Sequence, residues 1–442
     1  MTETATPAGV FPALHAGFAR TALGAEFVRK LRGEAMGRFE ARGLPTSHDE
    51  LWRHTNIRPI AEGTFRLPDD RAADGGQIAP LRLEGYEAVF VNGRYAPALS
   101  SLRGLPAGLS VVCLRDQLTA APELLRTHLS QVAVLDGQPF TALNTAFMDD
   151  GALIHIAAGT VVDKPIHLVF FSTSSATPSM SSPRTLVIAE RGSQARIIET
   201  YAGPADEVYF TNAVTEIVVS DGAVIEHYKR QQESDRALHI GRIEARQARS
   251  SQLNSYSLAF GGALSRTDID VRFAGEGAEC GLYGLFLGRQ AQHVDHHTLI
   301  DHAAPHCSSR ELYKGVMDDK SRGVFFGTIV VRPGAQKTDA HQTNKNLLLS
   351  RDALVNSTPR LQIEADDVKC KHGSTTGQLD AAALFYLRSR GIGEVEARSM
   401  MTYAFAADVV ERIPVRSLRA AVTAHLDRLL PGAGQLAEAA HV

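Results

Sequence analysis

The segment Ile217-Val218-Val219-Ser220-Asp221-Gly222-Ala223-Val224-Ile225-Glu226-His227-Tyr228 contains the unit that decides the fold. A β-branched run leads into a glycine turn, a small residue follows, and a tyrosine closes the next alternating stretch. The tyrosine recurs at steps of 27, 28, 27 and 30 residues, at positions 201, 228, 256, 283 and 313. The unit is therefore strand, turn, strand, turn, in about 28 residues.

Other marks of the unit accompany most of its copies. Small residues lie five or six positions before the tyrosines, and turn glycines precede several copies, at Gly192, Gly222, Gly277 and Gly334. The apolar spacing is two rather than 3.6, which excludes a helical repeat. Stacked in parallel register, such units bury a continuous core that no single unit forms alone. The repeat predicts a parallel β-helix, with an evenly spaced antiparallel sandwich as the alternative.

The sequence before and after the repeat lacks its period-two apolar spacing, which predicts three regions. An N-terminal helical and α/β region covers residues 1–145, the β-helix core covers 146–377, and a C-terminal helical domain covers 378–442. Leu23, Phe27 and Leu31 recur at four-residue spacing and predict helix within residues 10–60, where the only tryptophan, Trp52, is expected to anchor a core. Further along, the patterns predict a strand at 88–91, a tight turn at 92–93 and a helix over 116–128.

The C-terminal region reads as three amphipathic helices. Asp380 is placed to cap the first, which runs to about residue 390, and the others cover 394–413 and about 417–430. The open ends of a solenoid expose unpaired strand edges. The helices are therefore expected either to cover a solenoid end or to present a face to a partner. Met401 and Phe405 suit an adaptable contact, although a packed stripe is the commoner meaning of such a pattern.

Composition excludes several classes of function. Lys plus Arg is 46 and Asp plus Glu is 49, a formal net charge of −3, so no electrostatic surface for nucleic acid is expected. The 4 cysteines are scattered without a CxxC pair, as in reduced cytosolic proteins. Neither a Walker lysine motif nor a GxGxxG motif predicts nucleotide binding. Residues 1–10 lack a signal-peptide pattern and no apolar run approaches membrane length, which predicts an unexported, cytoplasmic protein without membrane contact.

Two constellations suggest chemistry that the pattern then disfavours. The densest set of metal-ligand types is His293, Asp295, His296, His297, Asp301, His302, His306 and Cys307. Strand alternation divides these side chains between two faces, so no permanent metal is expected. Asp268 and Asp270 favour a carbohydrate-active enzyme of the β-helix type, since such enzymes use paired carboxylates. A chain with no export signal has little access to such substrates, and this function is kept as the alternative.

Cys370 and His372 form a third constellation, at the junction between the repeat and the helical tail. They are two positions apart, so on a strand both side chains point to the same side. A thiolate and an imidazole are ligands for iron, but an Fe–S cluster normally takes four protein ligands. The remaining ligands would have to come from another chain or from exogenous thiols. The alternative is a buried cysteine beside a hydrogen-bonded histidine.

Several long motifs resemble the SufB/SufD family of Fe–S cluster assembly proteins. They comprise residues 325–327, 337–349, 359–363, 365–377, 385–391 and 403–406, with Leu44-Pro45-Thr46 and Trp52 near the start. The length and the amino-terminal segments look more like the SufD branch than the SufB branch. Cys370 and His372 match the cysteine and histidine that lie at the heterodimer interface in that branch.

The resemblance implies a complex of one SufB, one SufD and two SufC ATPases, with SufC gripping the C-terminal helices. On those helices Tyr386, Arg388, Met401 and Phe405 are the expected docking residues. The resemblance also implies a right-handed β-helix, in agreement with the repeat.

The expected role is a non-catalytic scaffold subunit, with ATP hydrolysis in SufC and a cysteine desulfurase system acting indirectly. Cys370 and His372 are expected to share a transient Fe–S cluster with SufB, and Lys369 and Lys371 to favour a thiolate nearby. The sequence leaves open whether a reduced flavin takes part and whether the chain alone forms a homodimer.

Overall fold

A computed structural model describes residues 8–69 and 72–430. The start of the chain, where the sequence predicts no export signal, and residues 431–442 of the predicted C-terminal domain lie outside the described residues. The helices are α1 (Phe11–Thr21), α2 (Glu26–Arg42), α3 (Arg58–Ala61), α4 (Gly75–Ile78), α5 (Leu114–Ala120), α6 (Glu123–His128), α7 (Pro139–Phe147), α8 (Ala381–Ser389), α9 (Glu394–Val410) and α10 (Arg416–Leu429).

Three strands precede α7, and the other strands fill most of the chain between α7 and α8. They are β1 (Tyr86–Val91), β2 (Arg94–Tyr95), β3 (Leu109–Cys113), β4 (Gly151–Ile156), β5 (Ile166–Phe171), β6 (Met180–Ser181), β7 (Arg184–Ala189), β8 (Gln194–Ala202), β9 (Phe210–Val219), β10 (Val224–Gln232), β11 (Leu238–Gln247), β12 (Gln252–Ala259), β13 (Leu264–Phe273), β14 (Glu279–Gly288), β15 (His293–His302), β16 (Ser308–Met317), β17 (Arg322–Val331), β18 (Asp339–Leu348), β19 (Leu354–Ile363) and β20 (Lys369–Gly377).

These strands form a parallel solenoid, which confirms the predicted fold class. From β7 onward, successive strands alternate between two sheets, so neighbours within a sheet are separated by one strand of the other sheet. The first sheet runs β2-β1-β5-β8-β10-β12-β14-β16-β18-β20, and the second runs β19-β17-β15-β13-β11-β9-β7-β4-β3. Only the pairs β1–β2 and β3–β4, at the start of the solenoid, are antiparallel. The alternative of an antiparallel sandwich is therefore excluded.

The turns explain why glycine marked the repeat and why it did not mark every copy. One residue at the corner takes a left-handed conformation, which glycine adopts without steric strain. Gly222 (φ 65°) and Gly277 (φ 70°) occupy that corner, whereas Ser250 (φ 52°) and His306 (φ 58°) adopt a similar conformation in other coils. The shape of the turn is thus preserved while its sequence signal disappears.

The recurrent tyrosines do not form one column, which corrects the interpretation of their spacing. Tyr228, Tyr256 and Tyr283 are in register on adjacent strands, with ring centroids 4.8 and 4.9 Å apart. They point outward, beneath the C-terminal helices. Tyr201 and Tyr313 are offset in register and belong to the interior core of the solenoid. An offset by an odd number of residues transfers a side chain to the opposite face of a strand.

The N-terminal region packs on the outer face of the second sheet. Helices α1, α2 and α7 share a core with outward side chains of β9, β11 and β13. Trp52 is buried in this core, and the guanidinium of Arg266 lies 3.6 Å from its ring centroid, which confirms the tryptophan as an anchor. The helix predicted over 116–128 is divided at Ala121 and Pro122 into α5 and α6. Strand β1 pairs with β5, so the first sheet extends into the N-terminal region.

The C-terminal helices cover the flank of the solenoid and not its end, contrary to one of the two expectations. Helices α9 and α10 and the link between them bury Val409, Ile413, Leu418 and Val422 against the outer face of the first sheet. Asp380 caps α8 as predicted, since its side chain accepts hydrogen bonds from the backbone N–H groups of residues 382 and 383. In the ranges that the structure describes, no helix has the length and apolar character needed to cross a bilayer.

Candidate functional site

The last coil of the solenoid is uncovered. Among the described residues, strand β19 pairs with β17 alone and β20 with β18 alone, so both sheets end here in an open edge. Leu354 and Ile363 on β19 are 41% and 43% exposed. Val331, which pairs with Ile363 from the preceding coil, is fully buried. Exposed edges with apolar side chains are templates for pairing with another chain. This end of the molecule has the character of an interface.

Cys370 and His372 lie side by side on β20, as the alternation predicts. In the register of the first sheet Cys370 is opposite Ala340 and His372 is opposite Gln342, which places both on the inward side. Cys370 is half-buried against the solenoid core, whereas His372 is exposed because no further coil covers it. The two ligand types therefore lie on the inward face of the last strand, at the end of the stack.

The environment of Cys370 favours a thiol. Burial and the nearby Asp339 carboxylate raise the pKa of Cys370, while the backbone N–H of Ala340 acts in the opposite direction. Lys369 and Lys371, predicted to support a thiolate, lie on the opposite side of the strand and are exposed. In the free chain their charges do not reverse the effect of burial on the thiol.

A buried carboxyl lies beneath His372 and escaped sequence reasoning. Glu311 accepts a hydrogen bond from Thr298 Oγ1 at 2.6 Å and another from Gln342 Nε2 at 2.8 Å. Burial raises the pKa of Glu311 to about 7, and the two hydrogen bonds only partly oppose this effect. Glu311 and His372 are separated by 61 positions in the sequence, so only the register of the coils brings them into one column.

The rest of the last coil is lined with hydroxyl and amide groups. Ser357 on β19 donates to Asn344 Oδ1 at 2.7 Å, and its Oγ lies 2.7 Å from that of Ser374 on β20. Asn346 Nδ2 donates to Asn344 Oδ1 at 2.6 Å. A polar end suits an interface that forms on binding. These groups are hydrated in the free chain, and a partner can replace the water with its own hydrogen bonds.

The predicted cluster at 293–307 is divided in the way that strand alternation predicts. His296 and His302 point into the solenoid, where burial lowers the pKa to about 3 and about 4, so both are neutral. Asp295 and His297 point outward beneath the N-terminal region, where Asp295 pairs with Arg266 at 3.0 Å. Among the residues that the structure describes, no three His, Cys, Asp or Glu side chains converge on a position for a metal ion.

The carboxylates that favoured a carbohydrate-active enzyme are engaged by arginines. Asp268 and Asp270 line a cavity of about 300 Å³ between the N-terminal region and the second sheet. Asp268 pairs with Arg266 at 2.9 Å, and Asp270 pairs with Arg242 at 2.5 Å. Both carboxylates are on the same strand and are neutralised by these ion pairs. They do not face each other across an open cleft, which is the arrangement that glycoside cleavage requires.

The predicted docking residues fall into two groups. On α8, Tyr386 is 57% exposed and Arg388 is exposed and 3.3 Å from Glu394, and no residue of this helix is buried. On α9, Phe405 contacts the solenoid, with Lys314 Nζ 4.7 Å from its ring centroid, and Met401 is half-buried. Helix α8 also exposes Phe385, at 72%, which the sequence reasoning did not select. The exposed apolar surface is therefore on α8.

Comparisons with known proteins match two family models to most of the chain. Residues 170–405 match the model of the SUF system FeS cluster assembly SufBD core domain, and residues 20–168 match the SufBD protein N-terminal region. An iron-sulfur cluster assembly SufBD family protein of Synechocystis is 34% identical over 388 residues, 85% of each chain. The iron-sulfur cluster assembly protein SufD of Escherichia coli is 31% identical, over 88% of this chain and 90% of its own. The Bacillus subtilis SufD is 27% identical, over 72% and 74%.

Proposed function

Since the chain belongs to the SufBD family of Fe–S cluster assembly proteins, we propose that it is the SufD-type scaffold subunit of a SufBCD complex. In this role it pairs with a SufB chain through the last coil and contributes Cys370 and His372 to the shared assembly site. The observation that carries the proposal is the open end of the solenoid, where both side chains stand beside two unpaired strand edges.

The need for a second chain follows from ligand number. A cluster takes four protein ligands, and the last coil offers a thiol and an imidazole. A related chain joined edge to edge supplies further ligands and also satisfies the open hydrogen-bonding groups of β19 and β20. The iron and sulfide are cargo in this scheme, held briefly and then passed on. A thiol kept protonated by burial becomes a ligand only when the metal displaces its proton.

Helix α8 is the proposed docking site of the SufC ATPase. Its aromatic side chains Phe385 and Tyr386 are exposed and flanked by Arg388, a combination enriched at protein interfaces. Helix α9 connects this surface to the solenoid, because Lys314 on β16 bonds both the Phe405 carbonyl and the Asp408 carboxylate at 2.9 Å. ATP hydrolysis is assigned to the partner, and this chain is a non-catalytic, cytoplasmic subunit supplied with sulfur by a desulfurase system.

Co-expression with the SufB-type and SufC-type proteins of the same organism tests the assembly. Anaerobic purification on a tag of this chain is expected to recover all three. Replacing Leu354 and Ile363 by lysine is expected to release the SufB-type chain and retain the ATPase, because charge on an edge opposes strand pairing. The same replacement at exposed Val134, in the N-terminal region, is the control. A chain that purifies alone and cleaves a polysaccharide would instead support the enzyme alternative.

A further inference from the structure

The inward face of the first sheet contains a column that ends at His372. Leu282, Glu311, Gln342 and His372 occupy equivalent positions on β14, β16, β18 and β20. Glu311 is 4% exposed and accepts two hydrogen bonds from neutral groups. Within residues 8–69 and 72–430, no lysine or arginine forms an ion pair with Glu311. Burial therefore favours the protonated, neutral form of this carboxyl, and no ion pair offsets that effect.

Gln342 transmits the state of this carboxyl toward the open end. Its side chain is buried, and its Nε2 donates to Glu311, which turns Oε1 away from the carboxyl. In the part of the chain that the structure describes, Gln342 Oε1 is buried and has no hydrogen-bond partner. His372 is its cross-strand neighbour on the side of the open end. An unpartnered buried carbonyl is costly, and a ring N–H of His372 is the donor that the next coil offers.

The space for this amide is built into the fold. A Cβ atom added at Gly327 on β17 would lie 2.3 Å from Gln342 Nε2. Gly327 is in register with Thr298, the other donor to Glu311. Any side chain at 327 would therefore displace the amide that reaches Glu311. The absence of a side chain at this position preserves the hydrogen-bonded arrangement.

The named groups around Glu311 keep one charge state near neutral pH, whereas Glu311 itself gains or loses a proton there. Thr298, Gly327 and Gln342 do not ionise. The titratable neighbours stay neutral, since burial raises the pKa of the Cys280 thiol and the Tyr313 phenol and lowers that of the His296 imidazole to about 3. Glu311 is itself a source of the effect on Cys280 and Tyr313. Of Glu311, Cys280, Tyr313 and His296, Glu311 is the group whose pKa lies between 6 and 8.

We propose that Glu311 and Gln342 are positioning residues that select the tautomer of His372. When Glu311 is ionised it accepts from the Gln342 amide, and the amide carbonyl accepts the inward ring N–H of His372. When Glu311 is protonated its O–H donates to the Gln342 carbonyl, the amide turns over, and its N–H donates to the inward ring nitrogen of His372. The ring proton then lies on the outer nitrogen.

The consequence for the assembly site rests on the proposed function. A metal binds the ring nitrogen that has no proton, and the other nitrogen needs a hydrogen-bond acceptor that holds the ring. Ionised Glu311 therefore presents a free outer nitrogen to the shared site, and protonated Glu311 blocks it. Binding of cluster iron by His372 becomes linked to loss of a proton from a carboxyl inside the solenoid.

The test is the tautomer of His372 in the isolated chain, without iron or partner. Long-range ¹H–¹⁵N spectra of ¹⁵N-histidine-labelled protein, assigned with His372→Asn, report which ring nitrogen is protonated at pH 8. We expect Glu311→Gln, whose amide donates to Gln342 as the protonated acid does, to shift the tautomer ratio roughly fivefold, the effect of one net hydrogen bond. Gln342→Leu should also abolish the wild-type preference. Ser309→Ala, in the adjacent column and bonded to His302, should preserve it.

The wild-type chain provides a second readout that requires no buried substitution. The ¹³C shift of the Glu311 carboxyl is expected to titrate with a midpoint near 7, and the tautomer ratio of neutral His372 should follow the same midpoint. An unchanged ratio across wild type, Glu311→Gln and Gln342→Leu, or across pH, would overturn the proposal. Neither outcome depends on cluster formation, so a failure of the tautomer switch and a failure of the scaffold role are separately visible.

Discussion

His372 lies on β20, the last strand of the first sheet, on the side where a further coil of the solenoid would stack. The thiol of Cys370 lies on the same strand. Within the described residues no further coil covers either side chain. What makes these two residues a site is their position at the end of the stack. The same pair in the middle of the solenoid would be an ordinary buried cysteine and a hydrogen-bonded histidine, as His302 is beside Ser309.

Glu311 makes a prediction about stability that is independent of any partner. Its pKa is about 7 in the folded protein and near 4.5 when unfolded, so between these values the native state holds a proton that the unfolded state has lost. The contribution of this group to stability is therefore lost as pH rises. We expect Glu311→Gln to gain roughly 2 to 3 kcal/mol over wild type between pH 4.5 and 8. Urea unfolding of both proteins across this range measures the difference, and a constant difference would contradict the raised pKa.

The buried pair of Arg184 and Glu216 is predicted to support the loop that follows α6. Both side chains are fully buried and 2.6 Å apart, and Glu216 also accepts backbone N–H bonds from residues 130, 132 and 133. Removing one partner leaves an uncompensated buried charge, so Glu216→Ala should cost about 3 to 5 kcal/mol. The partly exposed Glu190, 2.7 Å from His155, is the control, where alanine should cost less than about 1 kcal/mol. Equal losses in urea unfolding would refute this account.

Part of the site could be predicted at this scale, and part could not. Alternation along one strand suffices to place Cys370 and His372 on one side. The column that joins His372 to Gln342 and Glu311 depends on strand register across about 30 residues per coil. Register is set by turns and core packing throughout the solenoid, and a shift by one residue would move each side chain to the other face. The spacing of the tyrosines illustrates the problem, since two of the five face inward.

Among the elements, α8 differs from the other C-terminal helices because it buries no side chain. We expect Phe385→Ser with Tyr386→Ser to weaken binding of the SufC-type ATPase by at least about 2 kcal/mol, the usual effect of losing aromatic anchors. The melting temperature of the isolated chain should stay unchanged, because neither side chain packs on the solenoid. Titration calorimetry with the ATPase measures the affinity.

The matched control for α8 is Val134→Ser, which removes a comparably exposed apolar side chain from the N-terminal region. It should leave ATPase affinity unaltered. If the α8 double variant binds the ATPase as tightly as wild type does, the docking surface lies elsewhere. A lower melting temperature would show that α8 packs more closely than its exposure indicates.

The amphipathic patterns predicted that the C-terminal helices exist but misplaced one of their roles. A stripe of apolar residues shows that a helix has a buried face, but not which surface receives it. The flank of the first sheet is apolar because Tyr228, Tyr256 and Tyr283 point outward there. Once α9 and α10 cover that flank, the end of the solenoid is left free.

Taken whole, the two ends of the solenoid differ. At the start the outermost strands, β2 and β3, are antiparallel, and the half-buried Tyr95, Leu102 and Leu105 pack against the interior core. At the other end His372, on the inward side of β20, is exposed. Helix α9 lies over β14 and β16, close to the open end, and links the exposed α8 to the solenoid near Glu311. This arrangement suits transmission of an ATP-driven movement to the site. The repeat period predicted the solenoid, and the three domain boundaries stay predictions.

The central claim is that His372 takes part in cluster assembly on a completed complex. The direct measurement is iron and sulfide bound per complex after anaerobic reconstitution of wild type, His372→Ala and the control His341→Ala. The half-buried His341 lies on neighbouring β18, points outward and is 3.2 Å from Asp339. With the complex intact in each case, we predict a loss of at least about tenfold for His372→Ala, since even outer-shell partners of metal sites have effects of that size. His341→Ala should match wild type. Wild-type iron and sulfide on an intact His372→Ala complex would contradict the account.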